Sequence, residues 1–168
     1  MIVNLRNALA FPSPRGRAPA HSALIAGAVP LLLRLVVGVG FVMHGYAKLA
    51  RGPDTFAAVL NTLGVPAPHL LAWLTTLVEL AGGIAVLVGA YVSLAAVPLA
   101  IVLLTALVTV HWRYGFFSVK LAEVTPDGIR FGSVGVEIIL LYLAALAAVA
   151  LGGSGKWSVD AWRARPRD

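Results

Sequence analysis

The run APHLLAWLTTLVELAGGIAVLVGAYVSLAAVPLAIVLLTALVTV, residues 67–110, carries a single charged side chain, Glu79. A membrane-crossing helix needs ~20 apolar residues. Residues 67 to 110 are too many for one crossing and about right for two. Gly89-Ala90-Tyr91 is the turn signal near the centre, so the run reads as spans at about 68–88 and 91–112. A turn this short makes the two spans antiparallel neighbours.

The N-terminal side of this run holds another apolar run, Ala23 to about Tyr46, with Pro30 in its first third. It exceeds the ~7–15-residue core of a secretory signal. Membrane helices tolerate such a proline. Between these runs lies KLARGPDTFAAVLNTLGVPAPH. Asp54 after Pro53 is a helix start, Phe56, Val59, Leu60 and Leu63 follow at helical spacing, and Gly64 ends the pattern. That predicts a short interfacial helix. On the C-terminal side comes HWRYGFFSVKLAEVTPDGIRFG, with a Pro126-Asp127-Gly128 turn and alternation compatible with a small hairpin. A last span is predicted over about 133–151, broken by Gly152-Gly153-Ser154-Gly155.

The expected fold class is therefore all-α: an integral membrane four-helix transmembrane bundle (23–152) with a short interfacial helix after the first span. Residues 1–22 read as a basic flexible tail whose first segment, MIVNLRNALAF, is alternatively a surface-lying helix. Residues 153–168 read as an amphipathic tail with interfacial tryptophans. Seven Lys or Arg residues flank the spans on the side of the termini and five on the other, which places both termini in the cytoplasm. His44, His111 and the long loop then face outside.

Composition agrees. The chain of 168 residues is 60% hydrophobic and 12% charged, against ~45–50% apolar and ~25% charged in soluble domains. Its mean hydropathy is +0.90. It has no cysteine, which excludes a thiol–disulfide relay, thiolate-ligated iron–sulfur clusters and thioether-attached haem. The net charge of +6 fits anionic headgroups. No basic patch is interleaved with aromatics, so nucleic acid is set aside as a partner.

The polar groups within this apolar sequence are the candidates for chemistry. An ionised group at mid-bilayer costs ~2.5–3.5 kcal/mol on insertion scales, so such groups face the bundle interior and pair. Counting residues from each span's start puts Arg34 and Glu79 near mid-membrane, and an Arg34–Glu79 pair is the simplest expectation. The same counting puts His44, His111 and Glu137 at one level near the outer interface. At ~100° per residue, Arg34, Phe41 and Lys48 share an inward stripe with Gly38 and Gly45, and His44 flanks it. Thr75, Thr76, Glu79, Gly82 and Gly83 share a face of the second span, where small residues allow close helix approach. Structural roles stand beside functional ones: an ion pair fixing register for Arg34 and Glu79, a backbone-bonded interfacial ring for His44 and His111, pairing with Arg34 or Lys48 for Glu137, and snorkelling for Lys48.

These residues, in this order, resemble the DoxX family of small four-helix bacterial and archaeal membrane proteins. The resemblance rests on the arginine of the first span, FVMHGYAKL (41–49), Gly64 with Pro66, Glu79 with Gly82-Gly83, VHWRYGFF (110–117) and Glu137 at the start of the fourth span. It covers about residues 29–155 and leaves out the N-terminal tail and most of the 113–132 loop. It implies a bundle in the bacterial inner membrane, linked to membrane redox chemistry and in some members to quinone.

Three readings stay open. One is a membrane subunit of a quinone-linked oxidoreductase system, with Glu79, His111 and Glu137 as catalytic candidates. Arg34, Phe41, His44 and Lys48 are then cofactor-binding candidates. Quinone reduction needs an apolar slot, hydrogen-bond donors and a proton supply. GVGFVMHG (38–45) is not a strand–turn–helix glycine loop, so electrons come from a partner, such as another membrane or periplasmic redox protein, or from an unrecognised cofactor. The second reading is a non-enzymatic scaffold, assembly factor or small-molecule carrier. The third is a haem or metal binder using His44 and His111, with Glu137 for a metal.

Overall fold

The computed structural model describes residues 20–166. The N-terminal tail, including the surface helix expected over MIVNLRNALAF, lies outside the described residues. Helix α1 (Ala20–Arg51) is followed by α2 (Pro53–Thr62), α3 (Pro68–Val88) and α4 (Val92–Ala106). After α4 the chain continues as a π-turn (Leu107–His111) and a 3₁₀ turn (Trp112–Tyr114), then the strands β1 (Leu121–Thr125) and β2 (Gly128–Phe131). Helix α5 (Glu137–Gly152) and the short α6 (Val159–Arg163) complete the fold. Three stretches are long and apolar enough to cross a membrane, Gly27–Arg51, Pro68–Val88 and Val92–Tyr114, and Glu137–Gly152 is a shorter apolar helix. The protein is an all-α membrane bundle.

The helix boundaries have local causes. Pro53 sits at the first position of α2, where its missing N–H costs nothing. The α3–α4 turn is built on Gly89 and Tyr91, with φ of 73° and 50°. The core is a narrow seam of Val37, Phe41, Val86, Leu99, Leu146 and Val149. Large apolar residues elsewhere, such as Val36, Leu94 and Val108, point outward, where acyl chains solvate them.

Helices α1 and α3 make the closest approach. A methyl group on Gly38 would lie 2.9 Å from the Gly83 carbonyl oxygen and from Leu87 Cα, and one on Gly83 would lie 2.9 Å from the Val42 nitrogen. Gly45 similarly faces Leu80. These contacts fix the axial register of the pair, because only glycine lets the two backbones come this near.

Helix α5 starts at Glu137, later than the predicted start near 133. Residues before Glu137 form an extended leg, not helix, because their backbone N–H groups are used by the preceding loop: Gly135 donates to Phe117 O (3.1 Å), Val136 to Gly115 O (3.0 Å) and Glu137 to Phe116 O (3.0 Å). The Pro126-Asp127 turn joins β1 and β2 into an antiparallel hairpin.

The C-terminal segment folds back onto the α3–α4 turn. The Asp160 carboxylate accepts the Tyr91 N–H (2.7 Å) and the Val92 N–H (3.2 Å), while the Asp160 N–H donates to Gly89 O (2.9 Å). Asp160 thus caps the start of α4 from 68 residues away. Asp160→Ala is expected to lower stability by about 1–2 kcal/mol, as loss of a helix cap does, read as a lower melting temperature in detergent with the helical content unchanged.

Candidate functional site

The buried polar groups divide into three places. At one end of the bundle Arg34, 2% exposed, directs its guanidinium at four backbone carbonyls. Nε donates to Val86 O (3.1 Å), Nη2 to Leu87 O (3.0 Å), and Nη1 to both Ser154 O (2.6 Å) and Trp157 O (3.0 Å). Val86 and Leu87 lie in the last turn of α3, so the cation meets the negative end of that helix, and Val86 O accepts the Gly89 N–H (3.1 Å) as well. The expected Arg34–Glu79 pair does not form. Counting from the start of each apolar run misplaced the register: the Gly38–Leu87 and Gly45–Leu80 contacts bring Arg34 level with the end of α3, while Glu79 lies about two turns further along.

Glu79 pairs instead with Lys48, Nζ to Oε2, at 2.7 Å. Side chains on a helix lean toward its N-terminus. Lys48 therefore reaches back along α1 to the level of Gly45, where the glycine leaves room beside α3. The carboxylate side chain is 6% exposed and the lysine 18%. Lys48 Nζ also lies 4.4 Å from the centroid of the Phe56 ring on α2, a cation–π contact. Lys48 thus does not snorkel to the headgroups, because a carboxylate and an aromatic face hold it in the bundle. His44, Lys48, Thr55, Phe56 and Val59 line a groove of about 230 Å³ between α1 and α2. His44 is at its exposed rim.

The third place lies under the loop after α4. His111 Nδ1 is 2.8 Å from Val134 O, held there by the π-turn that ends α4. A backbone carbonyl acceptor makes Nδ1 the protonated nitrogen. Glu137 Oε2 accepts the Ser118 N–H (3.0 Å), and Ser118 Oγ in return accepts the Ile138 N–H (2.9 Å) at the start of α5. Glu137 therefore pairs with neither Arg34 nor Lys48. An extended loop laid over the helix start offers its carboxylate a nearer backbone partner.

Of the seven candidates, the fold joins Lys48 to Glu79 and sets His44 on the same groove. Phe41 is core, its ring edge-on to Tyr142 with centroids 5.9 Å apart. Arg34, His111 and Glu137 are bonded to backbone groups elsewhere. Among the described residues no three His, Asp or Glu side chains gather as a metal-binding group would require. Sequence reading missed Phe56 as the roof of the ion pair. The signal was present in its helical phase on α2, but not the packing of α2 against α3.

Comparison with known proteins agrees with this architecture. The DoxX family model matches residues 29–112, half of the chain. An "Uncharacterized membrane protein Rv3486" of Mycobacterium tuberculosis is 29% identical over 134 residues, covering 77% of this chain and 78% of that protein. "Putative oxidoreductase CatD" of Bacillus subtilis is 30% identical over 86 residues, covering 51% of this chain and 62% of that protein. No solved structure matches the chain significantly.

Proposed function

The chain belongs to the DoxX family, and we propose that it is the membrane subunit of an oxidoreductase system that takes a quinone ring into the groove between α1 and α2. The observation carrying this reading is the buried Lys48–Glu79 pair roofed by Phe56 at the groove's floor. An ammonium has three N–H donors. One is held by Glu79, so Lys48 stays oriented while it donates another to a quinone carbonyl oxygen. Phe56 and Val59 supply apolar wall, and the His44 ring at the rim carries protons between water and the bound ring. A groove of about 230 Å³ is smaller than the ~300–1,000 Å³ of drug-sized sites. It suits one ring, with the isoprenoid tail left in lipid. Conversion of quinone to quinol takes two electrons and two protons, and a partner redox protein supplies the electrons. The name of the Bacillus subtilis relative supports a redox role. We place the protein in the bacterial inner membrane with both termini cytoplasmic, so the groove opens toward the outer face.

The scaffold or carrier reading draws support from the use of Arg34, His111 and Glu137 on backbone groups. The two readings separate in a double substitution. Glu79→Ala alone leaves the Lys48 ammonium buried without its partner and is expected to cost about 3–5 kcal/mol. Lys48→Met with Glu79→Leu is expected to recover most of that stability, because an apolar pair of similar volume replaces the ions. The same double variant is expected to bind a short-tailed quinone at least ~10-fold more weakly in calorimetry, the equivalent of ~1.4 kcal/mol. Unchanged quinone affinity in the stable double variant refutes the quinone site and leaves the pair as a packing device. The haem or metal reading is tested by the absorption spectrum of the purified protein, where a Soret band would support it.

A further inference from the structure

The hairpin between α4 and α5 has an unusual distribution of side chains. Leu121 pairs with Phe131 and Val124 with Ile129, while Glu123 pairs with Arg130 between them. Directly opposed residues share a face of the ladder, and so do residues two apart on one strand. Ile129 and Phe131 therefore point the same way. The bulge between Leu121 and Glu123 absorbs one extra residue, so Leu121 and Val124 join them. The result is one face made of Leu121, Val124, Ile129 and Phe131, each between 59% and 66% exposed. The other face carries the Glu123–Arg130 ion pair (3.3 Å). An isolated two-stranded hairpin is marginal in water unless its apolar face is covered.

The adjoining fourth crossing is short. At ~1.5 Å per residue, the 16 residues of α5 extend about 24 Å, against a hydrocarbon core of ~30 Å. The missing depth lies where residues 115–118 cross residues 134–138. Non-helical backbone at that depth must satisfy its polar groups internally. Here Gly135, Val136 and Glu137 donate to the facing carbonyls, the Glu137 carboxylate takes the Ser118 N–H, and Ser118 Oγ takes the Ile138 N–H. Trp112 and Val108 of the preceding turns are exposed on the lipid-facing surface, so the apolar belt of the bundle runs on into this loop.

We propose that residues 112–136 form a membrane-inserted element: the crossed legs complete the fourth crossing within the bilayer, and the apolar face of the hairpin lies in the boundary between headgroups and acyl chains. The occupant of that face is lipid. Continuity with the lipid-facing belt argues for it. So does the position of Arg113 and Lys120, which precede the hairpin in sequence and have long side chains able to reach the headgroups from an interfacial element. The Glu123–Arg130 face turns to water.

The absence of cysteine makes single-cysteine labelling free of background. Val124→Cys, Ile129→Cys and, on the opposite face, Glu123→Cys each receive an environment-sensitive fluorophore. The full chain is reconstituted into vesicles of phosphatidylethanolamine and phosphatidylglycerol. At positions 124 and 129 nitroxide-bearing acyl chains are expected to quench several-fold more than aqueous iodide, with the order reversed at 123. All three sites are exposed, so the fold is retained, and melting in detergent verifies it. Equal access of iodide at 124, 129 and 123 overturns the proposal. Protection of 124 and 129 from both quenchers also overturns it, because a protein surface, a second copy included, then covers the face.

Discussion

Replacing Arg34 with methionine is expected to lower the melting temperature in detergent by about 8–16 °C. The side chain makes four hydrogen bonds, all to main-chain carbonyls and all from one cation. Bonds from charged groups are worth ~1.5–3 kcal/mol each and are not additive, and each carbonyl left buried without a partner costs ~1–3 kcal/mol. A total of about 4 kcal/mol follows, and a chain of this size shifts by ~2–4 °C per kcal/mol. Arg34→Lys keeps the charge but presents a compact ammonium in place of a planar fork. It cannot span acceptors on both α3 and the 154–157 turn, and is expected to regain less than half of the loss. Full recovery with lysine would show that charge alone matters there.

The second large effect is expected at Gly83, with its neighbour as the control. A methyl group at 83 would meet the Val42 nitrogen at 2.9 Å and Phe41 Cβ at 3.0 Å, both in or beside the α1 main chain. Neither can yield without moving the helix. Overpacking costs ~1–3 kcal/mol and sometimes more. Gly83→Ala is expected at the upper end, about 3 kcal/mol, and with it the Lys48–Glu79 pair one turn away is pulled apart. At Gly82 the three nearest atoms to a methyl group are Cγ, Cδ1 and Cδ2 of the Leu99 side chain, at 3.0–3.1 Å, with no main-chain atom among them. Leu99 is fully buried and has to shift by a few tenths of an ångström, while alanine gains up to ~1 kcal/mol in helix propensity over glycine, so Gly82→Ala is expected to cost clearly less than Gly83→Ala. Melting curves of the two variants test the contrast directly. Equal effects would mean that α1 and α3 are not held at the distance seen here.

The fate of individual residues shows which parts of this molecule were legible. The apolar runs gave three crossings directly, because ~20 consecutive apolar residues have no other stable use in a chain with this little charge. The Pro53 start of α2 and the Gly89 turn were legible because local backbone chemistry determines them. The inward stripe of Arg34, Phe41 and Lys48 also followed from helical phase, and the structure places the first two in the interior. The partners did not follow. Arg34 was matched to Glu79 on depth, yet backbone carbonyls hold it. One of those carbonyls belongs to Ser154, 120 residues away, and another to Trp157, 123 residues away. Of the two readings of Glu137, proton handling and pairing with Arg34 or Lys48, the pairing is not met, because its carboxylate holds a loop amide instead. The fourth helix starts at Glu137 and not near 133 because the loop opposite takes the N–H groups of Gly135, Val136 and Glu137, a pairing that no local pattern reveals.

Composition and run length are enough to put this chain in a bilayer and to locate three of its crossings, and helical phase turns Arg34, Glu79 and Lys48 inward, since burying charge against lipid is too costly to be left unresolved. Tertiary structure alone decided which group meets which. That choice depends on an axial offset between α1 and α3 of about two helical turns, set by glycine contacts and by a C-terminal segment returning to the α3–α4 turn. Composition and periodicity fix the face of a helix but not its height against a neighbour.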